Sequence, residues 1–221
     1  MKPPLQEFPC RTHAAALLAE SAALLVDLDG TLLDSTAAVR RACAELAHRH
    51  GLDEDTVYYS IYGRPPRQAI PPLLPDGDDQ AEIEAFDRAE LEYAHRPGAA
   101  TPLPGAADLL SITKPLAIVT SCAQPLAAAR LRAAGLVTPR VMITADDVNR
   151  GKPDPEGFLR AAQRLEVSPT RCVVVEDSPA GITAGHAAGA RVIALRTTRE
   201  AAALREADAI VDDLAALLGI T

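Results

Sequence analysis

The chain has 221 residues, of which 48% are apolar and 24% charged, which is enough for one large domain or for a core domain with a modest insert. This composition excludes a disordered or collagen-like chain. The formal net charge of -8 has the wrong sign for a protein that neutralises phosphates along nucleic acid, so we expect no nucleic-acid partner.

The four cysteines are widely separated and form no C-x-x-C pair, which argues against a disulfide framework or a zinc knuckle and favours reduced thiols in the cytoplasm. They are Cys10, Cys43, Cys122 and Cys172. Polar residues Glu20 and Ser21 interrupt the first apolar stretch, and no run reaches the roughly 20 apolar residues of a membrane span. We therefore expect no membrane partner, and a monomer, since no long heptad is present.

The chain begins with an N-terminal extension, residues 1–21, in which residues 12–20 suit a short helix packed on the core. Residues 22–28 are a short apolar run followed by Asp29-Gly30, which predicts a buried strand that ends in a loop.

A helical insert follows this first strand. Helical patterns cover residues 37–50 and 80–95, and no convincing strand pattern occurs between residues 36 and 101. Both borders are polar or rich in proline, as expected for hinges. We therefore predict a cap domain over residues 36–101 and a core domain formed by residues 22–35 and 102–221.

Strands and helices alternate through the rest of the chain. Apolar runs predict strands at residues 116–120, 141–144, 172–176, 191–195 and 209–211. Helical patterns cover residues 124–134, 155–165 and 179–188, and two of these end at a glycine. This alternation predicts an α/β fold with a doubly wound parallel sheet.

Polar residues follow several of the predicted strands. In an open parallel sheet, ligands bind beyond the carboxyl ends of the strands. The residues expected at that edge are Asp27 and Asp29 after the first strand, Thr120 and Ser121 after the second, Glu176 and Asp177 after the fourth, and Lys152 before the helix that follows the third.

Three neighbouring carboxylates repel one another, and a divalent cation with oxygen ligands, most naturally Mg²⁺, relieves that repulsion. A bound magnesium ion attracts a phosphate, whose remaining oxygens Lys152 and the Thr120 hydroxyl are able to hold. The residues therefore favour a magnesium site that binds a phosphate ester.

Four segments carry a resemblance to a known family. They are DLDGTLLDS at residues 27–35, IVTS at 118–121, GKPDP at 151–155 and VEDSPAG at 175–181. In order and spacing they resemble the four motifs of the haloacid dehalogenase-like hydrolases, over roughly residues 22–215. More narrowly, the chain is similar to the sugar-phosphate and polyol-phosphate phosphatases close to beta-phosphoglucomutase, which implies a Rossmann-like core with a helical cap inserted after the first strand.

The resemblance implies a role for each motif residue. Asp27 would be the nucleophile that forms an aspartyl phosphate, and Asp29 would be the general acid and then the general base. Thr120 and Lys152 would hold the transferring phosphoryl group. For Mg²⁺, the implied ligands are Asp27, Asp177 and the main-chain carbonyl of Asp29, with Glu176 as a ligand directly or through an intervening group.

Three other activities of this fold remain as alternatives. Haloacid dehalogenases of the superfamily lack the second acid of the first motif, whereas Asp29 is present here. Mutases typically carry a histidine near the start of the first cap helix, and Val39 occupies that position, which favours a phosphatase. A sugar-phosphate-binding protein without catalysis is the third alternative, and it would be expected to lose motif residues that this chain retains.

Substrate specificity is expected to come from the cap. Arg64 and Arg67 lie between cap helices and are candidate contacts to sugar hydroxyls or to the phosphate, with a solvated loop as the alternative. Ser121 is a further candidate for substrate binding. The tyrosines at 58, 59 and 62 suit cap core better than sugar stacking.

Overall fold

The computed structural model describes residues 11–74 and 79–220. Residues 1–10 of the N-terminal extension, including Cys10, lie outside the described residues. The strands are β1 (Ala23–Val26), β2 (Leu33–Asp34), β3 (Thr101–Pro102), β4 (Leu116–Val119), β5 (Val141–Ile143), β6 (Cys172–Glu176), β7 (Arg191–Leu195) and β8 (Ala209–Val211).

The α-helices agree with the predicted ones to within a residue or two, and the structure adds short ones. They are α1 (Arg11–Glu20), α2 (Thr36–His50), α3 (Glu54–Ile61), α4 (Pro66–Ala69), α5 (Asp79–Ala94), α6 (Ala106–Leu110), α7 (Gln124–Ala133), α8 (Glu156–Arg164), α9 (Pro179–Ala187) and α10 (Leu214–Leu218). Within the described ranges, no helix has the length and apolar character needed to cross a membrane.

Six strands form one parallel sheet in the order β5-β4-β1-β6-β7-β8. The first strand lies inside the sheet, where Leu25 pairs with Ala117 on one side and Val174 on the other. Helical segments join successive strands of this sheet, the last being a 3-10 helix at Ala201–Leu204 between β7 and β8, so the predicted doubly wound α/β fold is confirmed. Because the chain reverses its direction of winding at β1, the carboxyl ends of β1, β4 and β6 meet at one crevice.

The core lies on both faces of this sheet. Leu24 and Val26 of β1 point into one apolar cluster, and Ala23 and Leu25 point into the other, as the two-residue period of a strand requires. Ala14 and Leu17 of α1 are buried in the first cluster, so the predicted short helix before β1 packs on the core.

Helices α2 to α5, here called the cap helices, contain a separate apolar cluster. Leu46, Val57, Ile70 and Phe86 are buried at its centre. Tyr58 is buried in the same cluster, whereas Tyr59 is largely exposed. Helices α3 and α4 were not predicted from the sequence, because they are short and lie in the stretch between the two long helical patterns.

A small antiparallel ribbon connects the cap helices to the sheet. Leu33 of β2 pairs with Pro102 of β3, and Asp34 pairs with Thr101. No strand is predicted in the insert, yet β3 begins at its last residue, Thr101. Each strand of the ribbon has two residues, and a period of two cannot show over so short a run. The ribbon brings the entry and exit of the insert side by side.

Candidate active site

The carboxylate of Asp27, directly after β1, is buried against a lysine from another loop. Lys152 Nζ donates hydrogen bonds to Asp27 Oδ1, to Glu176 Oε1 at 2.7 Å and to the Val119 carbonyl at 3.1 Å. Lys152 is itself 7% exposed. The structure therefore brings together residues that the sequence predicted at the ends of β1 and β6, with the predicted lysine between them.

The charges in this group do not balance. Burial raises the pKa of Asp27 to about 7, although the charge of Lys152 acts to lower it. Burial, together with the charges of Glu176 and Asp27, also raises the pKa of Asp177 well above its usual value. Burial alone would lower the pKa of Lys152, but Asp27 and Glu176 raise it, so the lysine stays charged. One cation faces three carboxylates, and a second positive charge would stabilise all of them as anions.

Those three carboxylates are close enough to hold a metal ion. One oxygen each of Asp27, Glu176 and Asp177 lies within 4.8 Å of the others, and all three residues are buried. Glu176 already has many partners, because its Oε2 accepts from the backbone N–H of Asp177 at 2.8 Å and from the N–H and Oγ of Ser178 at 2.7 and 2.9 Å. An all-oxygen site of this kind suits Mg²⁺.

Two glycines make room for these acids. Gly30 has φ +83°, and a Cβ there would lie 2.2 Å from Asp177 Oδ2. At Gly181 in α9, a Cβ would lie 1.8 Å from Glu176 Oε1. Both positions lie within the motifs and exclude any larger residue without displacement of a carboxylate.

Thr198 is a site residue that the sequence analysis missed. Its Oγ1 donates to Asp177 Oδ2, which fixes that carboxylate from the loop after β7. The signal was available, because Thr198 follows the end of a predicted parallel strand, as the other site residues do.

Asp29 lies at the edge of the site and is held by three side chains. Ser35 Oγ donates to its Oδ1 at 2.6 Å, and Arg130 Nη1 and Cys122 Sγ donate to its Oδ2 at 3.0 and 3.1 Å. Burial raises the pKa of Cys122 well above its usual value, so it remains a thiol. Sequence reasoning did not find Arg130, whose only signal is a charged residue on the buried face of α7.

The predicted residues Thr120 and Ser121 follow β4. Thr120 is buried, and its Oγ1 accepts from the Cys122 N–H at 3.1 Å. Ser121 reaches the cap, since its Oγ donates to the Gly63 carbonyl at 3.4 Å. Both residues border the cavity that contains Asp27 and Lys152.

A cavity of about 460 Å³ separates this site from the cap helices. Its size suits a small organic ligand. Its lower wall contains the motif residues just described. On the cap side it is lined by residues that include Val39, Tyr62, Arg64, Arg67 and Glu90.

The two predicted arginines differ in their contacts. Both line the cavity and are largely exposed. Arg67 Nη2 donates to the carbonyls of Ala145 and Val148, each at 3.2 Å, and so joins α4 to the core across the cleft. Tyr62 packs on the cap cluster, as predicted, but also borders the cavity, and within the described residues its buried hydroxyl has no hydrogen-bond partner.

The parallel α/β sheet carries buried acids at the ends of β1 and β6, a lysine between them, and helices inserted after β1 above them, and together these features define a class of hydrolase. The family model of haloacid dehalogenase-like hydrolases matches residues 22–189. The chain belongs to this family, and the relatives it matches make it a phosphoric monoester hydrolase.

Curated relatives and solved structures agree with this assignment. The chain is 46% identical to hexitol phosphatase A of Escherichia coli (strain K12), over 86% of this chain and 90% of the relative. It is 41% identical to validoxylamine A 7'-phosphate phosphatase of Streptomyces hygroscopicus subsp. limoneus, over 86% and 92%. The crystal structure of a hydrolase from Pseudomonas syringae superimposes with a TM-score of 0.78 at 26% identity, over 90% and 96% of the two chains.

Proposed function

We propose that this protein is a magnesium-dependent phosphatase that hydrolyses small sugar or polyol phosphate monoesters through an aspartyl phosphate on Asp27. The observation that carries the proposal is the buried group of Asp27, Lys152, Glu176 and Asp177, here called the acid–lysine cluster, at the floor of a 460 Å³ cavity. Relatives at 46% and 41% identity are named as a hexitol phosphatase and a validoxylamine phosphate phosphatase, which supports this substrate class.

The residues present fit a magnesium ion. Asp27, Asp177 and the main-chain carbonyl of Asp29 would hold it, while Glu176 acts through its hydrogen bonds to Lys152 and to residues 177–178. When bound, Mg²⁺ would offset the charge of a phosphoryl oxygen and keep Asp27 ionised.

Asp27 would attack the phosphorus atom and form a new O–P bond, while the bond from phosphorus to the substrate oxygen breaks. Lys152 is placed to orient Asp27 and to offset charge on the transferring group, and the Thr120 hydroxyl and Ser121 border the same space. The alkoxide leaving group would take a proton from Asp29.

Asp29 would then accept a proton from the water that attacks phosphorus, and the O–P bond to Asp27 would break to release inorganic phosphate. Its position two residues after Asp27 and beside the cavity supports this role. The cap helices, with residues 36–101 acting as a cap domain on a core of 22–35 and 102–221, would exclude bulk water during the first step.

Arg64 is the better placed of the two cap arginines for substrate, since it lines the cavity, whereas Arg67 is engaged with two core carbonyls. Val39 supports a phosphatase over a mutase. This apolar residue is buried in the cap cluster and lines the cavity at the position where mutases typically carry a histidine. The described cysteines Cys43, Cys122 and Cys172 are free thiols, which supports action in a reducing cytoplasm.

The test is phosphate release from a panel of hexitol, hexose and pentose phosphates, with Mg²⁺ or with chelator, and with a coupled assay for isomerised sugar phosphate. We expect magnesium-dependent release, fastest on a hexitol or hexose phosphate. Isomerised product without release would instead show a mutase. Binding of sugar phosphate without either reaction would overturn catalysis and favour a binding protein.

A further inference from the structure

A buried arginine joins the cap helices to the loop after β1. Arg130 lies on α7 of the sheet domain and is 3% exposed. Its Nη2 donates to Glu90 Oε1 at 2.6 Å, and its Nη1 donates to Asp29 Oδ2 at 3.0 Å. Because Glu90 belongs to α5, one guanidinium connects a carboxylate of the cap helices to a carboxylate of the site.

The burial of this charged group is not explained by stability. Replacement of a buried ion pair by well-packed apolar residues is often neutral or stabilising, because the charges lose their hydration. Moreover, within the described residues Arg130 Nε has no hydrogen-bond partner. Burial alone would lower the pKa of Arg130, but the facing Asp29, Cys122 and Glu90 raise it, so the guanidinium stays charged.

Two of the three side chains that hold Asp29 adjoin or contact the cap helices, whereas the third, Cys122, follows β4. Ser35, which donates to Oδ1, is the residue immediately before α2. Arg130, which donates to Oδ2, is held on its other side by Glu90 of α5. Each oxygen of the Asp29 carboxyl therefore accepts from a side chain that adjoins or contacts a cap helix, α2 through Ser35 and α5 through Arg130 and Glu90.

We propose that Arg130 is a positioning residue that orients the Asp29 carboxyl. Its bond to Glu90 makes this orientation depend on whether the cap helices cover the cavity. The inference rests on the proposed function, in which Asp29 transfers the proton. If α5 moves away, Nη2 of Arg130 loses its carboxylate, and the guanidinium is held through Nη1 alone, by Asp29 and Cys122. Asp29 is then oriented for proton transfer only while the cap helices cover the cavity.

The choice of leaving group separates this role from a structural one. A nitrophenolate leaves without a proton, whereas the alkoxide of a polyol phosphate needs one as its bond to phosphorus breaks. The ratio of kcat/KM for the best alkyl phosphate of the panel to kcat/KM for p-nitrophenyl phosphate therefore reports on the proton transfer. A loss of stability alone affects both substrates and leaves the ratio unchanged.

We expect Arg130→Met to lower this ratio by about 10²-fold, the typical cost of a catalytic group displaced by about 1 Å. Arg130→Lys keeps the charge but cannot bridge both carboxylates, and it should give a smaller decrease. Glu90→Gln keeps an acceptor but loses the charge assistance, and it should lower the ratio in the same direction. The matched controls, Arg132→Met on exposed α7 surface and Glu92→Gln on exposed α5 surface, should leave it unchanged.

An equal loss of kcat/KM on both substrates in Arg130→Lys and Glu90→Gln would overturn the proposal and make the bridge structural. An unchanged ratio in these two conservative variants would overturn it as well. If Arg130→Met does not fold, as judged by its circular dichroism and Tm, these two variants decide the question. Failure of the proposed function is distinct, because the unmodified protein would then release no phosphate from any alkyl ester.

Discussion

The acid–lysine cluster and the cap side of the cavity are built differently. The cluster combines residues from loops after β1 and β6 with one lysine, and every member is buried and bonded to another. The cap side presents Arg64 and Arg67, which are largely exposed, and reaches the core through separate contacts such as that of Arg67 with Ala145. The rigid, charged acid–lysine cluster suits catalysis on the phosphoryl group. The more exposed cap side suits selection among substrates.

Removing the charge of Lys152 from the acid–lysine cluster should lower activity more than any change on the cap side. We expect Lys152→Gln to lower kcat by about 10²–10³-fold, the usual cost of losing one preorganised donor to a developing charge. Breaking this buried ion pair should also lower the free energy of unfolding by about 3–5 kcal/mol. Steady-state kinetics and urea unfolding measure the two effects.

Lys114→Gln is the matched control, because Lys114 donates to the carbonyls of Leu18 and Ser21 rather than to an acid. We expect it to retain kcat. A Lys152→Gln protein with kcat within a factor of about three of the unmodified enzyme would contradict a catalytic floor built on this lysine.

The Thr198 hydroxyl, which donates to Asp177, should affect the affinity for Mg²⁺ more than the rate of the reaction. We expect Thr198→Val to raise the Mg²⁺ concentration for half-maximal activity by about 10–100-fold, as is typical when a hydrogen bond to a metal ligand is lost. Rates at saturating Mg²⁺ should change little.

Thr183→Val is its control, since the Thr183 hydroxyl donates to the Pro179 carbonyl within α9. The two variants are compared by magnesium titration of activity and by calorimetry with Mg²⁺ alone. Equal magnesium affinities in both would show that Thr198 does not support a metal ligand.

On the cap side, we expect Arg64→Gln to raise KM for the best sugar or polyol phosphate by about tenfold, the value of one charge-assisted hydrogen bond, while kcat is retained. Arg41→Gln, on exposed α2 surface, should leave KM unchanged. A fall in kcat with KM unchanged would show that Arg64 acts on the transferring phosphoryl group. The distinction between the acid–lysine cluster and the cap side of the cavity would then be lost.

The position of the acid–lysine cluster could be predicted from the sequence because it follows from the geometry of a parallel sheet. The carboxyl ends of neighbouring parallel strands share one edge, so Asp27, Lys152 and Asp177 were expected to meet once the strands were identified. Thr198 obeys the same rule and was overlooked only because its loop carries no motif.

The bridge from Glu90 to Arg130 was beyond such reasoning. Glu90 on α5 and Arg130 on α7 lie 40 positions apart in the chain. Their contact depends on how the two helices pack against each other, which no local sequence pattern predicts. In the sequence each is a single charge on an otherwise apolar helix face. Likewise, the β2–β3 ribbon is too short to leave a periodic pattern.

The most direct test of the account compares phosphate release from a hexitol phosphate by the unmodified protein and by Asp27→Asn, each with Mg²⁺ and with chelator. The account predicts release only by the unmodified protein with Mg²⁺, and a loss on the order of 10⁶-fold in kcat for the variant, the scale seen when a catalytic nucleophile is removed. Circular dichroism confirms that the variant is folded. Magnesium-dependent release that persists in folded Asp27→Asn would contradict the account, because the phosphoryl group would then not pass through this carboxylate.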